Sequence, residues 1–389
     1  MIYFDNSATT KMSDAALSAF ADAARGLYGN PSSRHSLGTD AAAAVKAAKA
    51  EILRAIDARA GLLVLTGSGS EANNLALLGR AAAKERYKKT HARIIVGAGE
   101  HPSVSLPISR LAAEGFDIVE IPTRGGVLDL SALADALNEN TVLVSVMLVN
   151  NETGALYDIA AISRLLRENA PSAVLHCDAT QGFLKLPLSV RTLGIDLLTL
   201  SAHKVHGPKG IGALYISDAV HKSRGLSPII LGGGQEDGYR SGTVNAPALL
   251  SFAAAVKDGY AALDQNAAKM RGLRDALVTA LATDDRLSAI TPVLPAVCAP
   301  HILSLTLPSI KSETMLNFLS GEGFAISAGS ACASHGKHQS PALLAYGLTP
   351  AAADTTVRVS FSHENTEAEL SAFIEALAAG IARLCRIRK

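Results

Sequence analysis

Short apolar runs recur along the chain at 62–65, 93–96, 116–121, 141–149, 173–177, 195–200 and 211–216, each followed by small or polar residues. Between them lie segments with helical spacing. The pattern predicts helices over 13–26, with Ser13 as N-cap, and over 41–58, 75–83, 130–137 and 159–167. Buried strands alternating with helices imply right-handed crossovers and a mainly parallel sheet covered on both faces. A long Ala-rich helical stretch, 244–281, then leads to a second group of elements: strands at 302–307, 324–326 and 355–361 and helices at 314–319 and 366–382. Two domains are expected. A large α/β domain takes 15–255, and a smaller α+β domain takes 1–14 and 256–389.

The polar residues fall in a pattern of their own. Ser68 to Ser70, His101, Asn151, Asp178 to Gln181, and His203 with Lys204 each sit just beyond a strand-like run. Ligands bind at the carboxyl ends of strands in an open α/β sheet, so five such sets point to one site built from distant parts of the chain. The turn 66–74, Thr-Gly-Ser-Gly-Ser-Glu-Ala-Asn-Asn, joins a strand to a helix and is a phosphate cradle in principle. The simpler reading is a helix capped by Ser70. Its spacing matches neither the Walker pattern nor GxGxxG, which disfavours ATP and NAD.

Composition narrows the class. The 389 residues carry a net charge of +1, are 48% apolar and lack Trp, which gives no reason to expect nucleic acid or a membrane surface as the main partner. No uninterrupted apolar stretch is long enough for an ordinary transmembrane helix, and no signal peptide is visible at the N-terminus. Cys177, Cys298, Cys332 and Cys385 are scattered without metal-binding spacing, so no metal is expected and a reducing cytoplasm suits them.

Lys204 lies in Ser201-Ala-His-Lys-Val-His-Gly-Pro-Lys-Gly210, between two strand-like runs. It reads either as a solvated loop lysine or as an amine placed to form a Schiff base. Pyridoxal 5'-phosphate (PLP) needs a phosphate cup, an acid at its ring nitrogen, a group over its face and donors at its edge. Gly69 and Ser70, Asp178, His101, and Asn151 with Gln181 supply candidates for each. Singly, each has a plainer role as a cap or a packed polar residue; jointly they favour the cofactor.

The motifs Asp5-Asn-Ser-Ala-Thr-Thr, Gly29-Asn-Pro-Ser-Ser, Ser70-Glu-Ala-Asn-Asn, Glu100-His, Val149-Asn-Asn-Glu, His176-Cys-Asp-Ala-Thr-Gln, the Lys204 segment, Arg240-Ser-Gly-Thr and Ser327-Ala-Gly-Ser-Ala-Cys together resemble a cysteine desulfurase of the NifS/IscS-like type. That group belongs to the class V aminotransferases among the fold type I PLP enzymes. The resemblance implies a seven-stranded-type sheet in the large domain and a cytoplasmic homodimer with the active site at the subunit interface. It makes Lys204 the Schiff-base lysine and gives the phosphate to Gly69, Ser70, Ser201 and His203, with Thr243 of the partner subunit. Asp178 then meets the pyridine nitrogen, Gln181 the phenolic oxygen and His101 the ring face, while Asn151 and Arg358 hold the substrate carboxylate.

Cys332 sits among small and polar residues that suit a mobile thiol, and basic His335, Lys337 and His338 would favour its thiolate. The plainer reading is a small core-filling Cys. The resemblance implies that L-cysteine becomes L-alanine while Cys332 takes the sulfur as a persulfide. An acceptor protein, an iron–sulfur scaffold or a tRNA-thiolation enzyme, would receive it. This sequence departs from the family in Gly69-Ser70 for Ala-Thr, in Ser362-His363 for Gly-Arg, and in ending at Lys389 without a longer tail. Another class V aminotransferase, a selenocysteine lyase and a non-catalytic dimeric binding partner remain as rivals.

Overall fold

The computed structural model describes residues 1–83, 91–329 and 339–386. Cys332 lies outside the described residues, as do His335, Lys337 and His338. Strand β1 (Ile2–Tyr3) opens the chain. The main sheet takes β2 (Leu62–Thr66), β3 (Arg93–Gly97) and β4 (Asp117–Ile121). A small hairpin, β5 (Thr123–Arg124) and β6 (Val127–Leu128), stands apart. Then β7 (Thr141–Met147), β8 (Val174–Asp178), β9 (Leu197–Ser201) and β10 (Gly212–Ile216) complete seven strands in the order β2-β10-β9-β8-β7-β3-β4.

Pairing is parallel from β9 through β8, β7 and β3 to β4. Only β10 runs against its neighbours, β9 and β2. The link from β9 to β10 is too short for a crossover, so the chain must turn straight back. Lys204 stands in that turn.

Both faces of the sheet are buried, and residue alternation assigns the faces. Leu63, Leu65, Ala213 and Tyr215 join one core, which includes Ile52, Ile162, Leu166, Phe183 and Phe252. Val64, Leu214 and Ile216 join the other, with Leu75, Val104 and Leu111. A third core gathers Phe4 with residues from Met270 to Ile381. It packs on β11 (Thr291–Val293), β12 (Ile302–Thr306) and β14 (Thr356–Ser360), an antiparallel sheet in the order β11-β12-β14. Strand β13 (Phe324–Ala325) pairs instead with β1, in parallel. The Phe4 ring meets Phe361 and Phe373 edge-on at 5.5 and 5.4 Å, which ties the chain's first residues to its last helix.

Several boundaries differ from the sequence pattern for identifiable reasons. The helix expected from 75 runs Gly69–Ala82, and its N-cap is Ser68 rather than Ser70. The helix expected from 41 runs Ser36–Ala55, capped by the His35 ring accepting from Gly38 N–H. The stretch 244–281 is two helices, Ala246–Ala261 and Leu263–Thr283, meeting at Ala262. Strand β11 has no counterpart in the pattern; it contains Pro292 and lies at the sheet edge, where a missing N–H is tolerated. A short helix, Pro341–Tyr346, has Ser340 as N-cap and Pro341 as its first residue. No helix among the described residues is long and apolar enough to cross a membrane.

Candidate active site

The strand ends converge on a cavity of about 200 Å³ lined by Gly69, Ser70, His101, Asn151, Asp178, Gln181, Ser201, His203, Lys204 and Arg358, with Ser7, Ala8, Ser68, Asn73, Ser103 and Thr180. All but Arg358 and the two N-terminal residues come from the region of the main sheet. Arg358 arrives from β14, and Ser7 and Ala8 from the strap that follows Phe4.

One wall is the start of helix Gly69–Ala82. The Ser68 hydroxyl accepts from Glu71 N–H at 3.1 Å, and the Ala72 N–H bonds to the Ser68 carbonyl. The N–H groups of Gly69 and Ser70 find no acceptor among the described residues, as expected of a helix's first turn. A Cβ on Gly69 would lie 3.2 Å from the Ser201 Cβ, so glycine is what permits the turn to approach β9 this closely. The Ser201 hydroxyl is buried without a partner. Behind the turn, Glu71 accepts from Gly67 N–H at 2.7 Å and from Arg240 Nε at 2.8 Å, which braces the loop. His203 is kept neutral: burial, then the charges of Lys204 and Lys209, push its ring down to about 4. This wall is a set of uncommitted donors at a helix N-terminus, an arrangement that favours an anion.

Opposite stands Asp178, at the end of β8. Its Oδ1 accepts from Thr180 N–H at 2.9 Å and its Oδ2 from Asn73 Nδ2 at 2.8 Å. The same Asn73 amide donates to Ser103 Oγ at 2.8 Å. Ser103 Oγ lies 2.8 Å from His101 Nδ1, which also accepts from Ser103 N–H at 3.1 Å. The proton of neutral His101 therefore sits on Nε2. Burial keeps the ring below its ordinary range, assisted by Lys204 and opposed by Asp178.

Lys204 follows β9 in a single 3-10 turn, Ala202–Lys204. Gly207 closes it, since a Cβ there would lie 3.0 Å from both the Cβ and the carbonyl oxygen of Ala202. The Lys204 Nζ donates to the carbonyls of Ser7 at 2.5 Å and Ala8 at 2.8 Å. Gln181 Nε2 donates to the same Ser7 carbonyl at 2.9 Å. The strap thus holds an amine and an amide at the cavity. Arg358 is buried at 2% exposure; its Nη1 donates to the Asn151 carbonyl at 2.7 Å, and its Nη2 to Ser327 Oγ at 2.7 Å and Asp5 at 3.0 Å.

Ten of the twelve residues singled out from the sequence line this one cavity. Thr243 does not: it is exposed, beside Gly67, Arg240 and Gly242, and lines a separate cleft. Cys332 is outside the described residues. Sequence reasoning missed Asn73, Ser103, Thr180, Asp5 and the Ser7 and Ala8 carbonyls. Asn73 carried a signal, one helical turn beyond Ser70 on the same face; backbone carbonyls carry none.

Residues 2–373 match the family model "Aminotransferase class-V". The chain belongs to the class V aminotransferases, and its relatives place it in their NifS/IscS-like group. It is 34% identical over 388 residues to "Cysteine desulfurase IscS 1" of Archaeoglobus fulgidus, covering 99% of this chain and 98% of that one. A solved structure titled "NIFS-LIKE PROTEIN" superposes with a TM-score of 0.89 at 31% identity, covering 98% and 99% of the two chains. Another, titled "SspA in complex with cysteine", gives a TM-score of 0.80 at 30% identity, covering 94% and 100%. The fold of this group is the doubly covered, mostly parallel sheet described above.

Proposed function

We propose that this protein is a PLP-dependent cysteine desulfurase that converts L-cysteine to L-alanine and collects the sulfur on Cys332. The carrying observation is that one cavity joins the Lys204 amine, the fixed Asp178 carboxylate and an unpaired anion cradle, in a chain of the NifS/IscS-like group. The residues fit the cofactor. The open N–H groups of Gly69 and Ser70 and the orphaned Ser201 hydroxyl suit its phosphate, and Asp178 suits a protonated ring nitrogen. Bound PLP draws electrons away from the Cα of an attached amino acid.

The chain's own groups do the rest. Gln181, held by the Ser7 carbonyl, would donate to the cofactor's phenolic oxygen, and His101 would offer its Nε2 proton on the cofactor's side of the cavity. Arg358 offers a guanidinium for the substrate carboxylate beside Asn151, and Lys204 takes the Cα proton. Cys332 attacks the substrate sulfur as a thiolate: the S–S bond forms, and the C–S electron pair stays on carbon, which is protonated on the way to alanine. No external oxidant is required. The cysteine-bound SspA structure supports cysteine as the substrate class.

The same reading makes the protein a cytoplasmic homodimer. Thr243, exposed and away from its own cavity, would complete the phosphate site of the other subunit. Cys177, Cys298 and Cys385 are free thiols, which suits a reducing compartment. Residues 15–255 would form the PLP-binding lobe, and residues 1–14 with 256–389 the lobe that carries Cys332. The persulfide would pass to an iron–sulfur scaffold or a tRNA-thiolation enzyme.

The test is direct. Purified, PLP-loaded protein should release alanine and bound sulfur from L-cysteine in equal amounts. Cys332→Ser should abolish this while keeping the cofactor, and Lys204→Ala should abolish turnover altogether. Normal alanine production by Cys332→Ser overturns the sulfur-transfer role.

A further inference from the structure

A second cavity, of about 220 Å³, is lined by His206, two residues beyond Lys204, and by Lys185, His363, Ser13, Asp258 and Asn266, over an otherwise apolar wall. Three of these groups are basic, and their hydrogen bonding is incomplete. Lys185 is 5% exposed, and its ammonium makes no hydrogen bond or ion pair among the described residues. Burial alone pushes it down to about 8. A buried, unpaired cation is costly and rare without a partner.

The His206 Nδ1 lies 3.0 Å from the Lys11 carbonyl, so it carries a hydrogen and donates it. The ring is neutral, since burial first, then Lys185 and His363, push it down to about 3. Its Nε2 lone pair is therefore an acceptor, and it is buried with no partner. The His363 ring stands 4.6 Å from that of His206, edge to face. Asp258 and Glu364 are exposed, and neither pairs with Lys185; Lys269 is engaged with the His363 carbonyl.

The cavity thus offers one charged donor and one neutral acceptor. Water would satisfy both hydrogen-bonding groups but not the charge. A fully deprotonated anion such as sulfate would satisfy the charge and leave the acceptor bare. We propose that this cavity binds a small oxyanion that still carries an O–H, hydrogenphosphate or hydrogencarbonate, with its charge on Lys185, its hydroxyl donated to Nε2 of His206, and His363 closing the seat. The site is separate from the Lys204 cavity but mechanically joined to it. His206 N–H bonds to Thr10 Oγ1 at 2.7 Å, and Thr10 N–H and Oγ1 bond to the His203 carbonyl at 2.8 and 3.0 Å.

The PLP-loaded protein, whose phosphate cradle is filled, is titrated near neutral pH with inorganic phosphate, hydrogencarbonate, sulfate and chloride at matched ionic strength. Calorimetric binding and the thermal midpoint are followed. A saturable response to phosphate or to hydrogencarbonate, absent with sulfate and chloride, is expected, and the responding anion identifies the source. Lys185→Met should lose that response while unfolding at a higher temperature than the parent without anion, which shows it folded. His363→Asn should weaken binding about tenfold. No saturable response to either anion, an equal response to sulfate, or an unchanged response in Lys185→Met overturns the proposal.

Discussion

Asn73 Nδ2 lies 2.8 Å from Asp178 Oδ2 and 2.8 Å from Ser103 Oγ, so a single amide orients the carboxylate and, through Ser103, the His101 ring. Because Ser103 Oγ receives a hydrogen from Asn73, its own hydrogen goes to His101 Nδ1. The amide is thus a positioning group for two proposed cofactor contacts at once.

Replacing Asn73 with Leu should therefore weaken PLP binding about tenfold to a hundredfold, the worth of a hydrogen bond to a charged group. The bound cofactor's absorbance band should shift as well, because Asp178 loses its fixed orientation. Asn73→Ser, which keeps one donor, should restore part of the affinity. Titration with PLP monitored by absorbance checks both, and an unchanged band in Asn73→Leu removes the positioning role.

Arg358 shares its guanidinium among Asn151, Ser327 and Asp5 and is almost wholly buried. Its Nε is buried without a partner. A lysine there cannot reproduce a planar fork held from several sides. Arg358→Lys should lower kcat/KM for L-cysteine about tenfold to a hundredfold, chiefly through KM, with PLP still bound. Steady-state alanine release over a range of cysteine concentrations separates the two parameters. A fall in kcat with KM unchanged places Arg358 outside carboxylate binding.

Most of this cavity is legible in the strand-end pattern of the sequence, because side chains after parallel strands must gather at one edge of the sheet. Ser68 as the cap is harder to see: Ser68 and Ser70 flank the same glycine, and only backbone geometry decides which one caps the helix, Ser68 doing so by accepting from Glu71 N–H. The strap's role is invisible in the sequence, since Lys204 and Gln181 bond to the carbonyls of Ser7 and Ala8, which every residue type possesses. The edge strand β11 escapes because Pro292 interrupts its pattern.

Glu100 is buried in the turn that follows β3, where its Oε1 accepts from Met147 N–H at 2.7 Å and its Oε2 has no partner. Burial raises its carboxyl well above the usual 4.5, with Asp178 and Glu120 adding to the rise. Below 4.5 both folded and unfolded chains hold the proton. As pH rises past it, the unfolded chain releases the proton and the folded chain does not, so folding loses stability. Glu100→Gln keeps the acceptor for Met147 and removes that loss. It should raise the thermal midpoint by a few degrees near neutral pH, and the gain should vanish as pH falls below the ordinary carboxylate value. A gain that persists in acid would show that charge is not the cause.

His176 tests the opposite sign. It lies fully buried on β8, bonded through Nδ1 to Ser145 Oγ at 2.8 Å and through Nε2 to Thr199 Oγ1 at 3.1 Å. Burial pushes it down to about 4, against the pull of Asp178. Its folded value lies below the unfolded one of 6.5, so its contribution is complete above 6.5 and is lost as pH falls toward about 4. Within that window the unfolded chain binds a proton that the folded chain refuses, which costs about 1.4 kcal/mol for each pH unit. His176→Gln can still meet one of the two hydroxyls, and it has no proton to gain. The variant should be less stable than the parent near neutral pH, and its stability should decline less steeply between the two values. Denaturant unfolding across that range measures the slopes, and parallel slopes for the two proteins would mean that His176 is already charged in the folded chain.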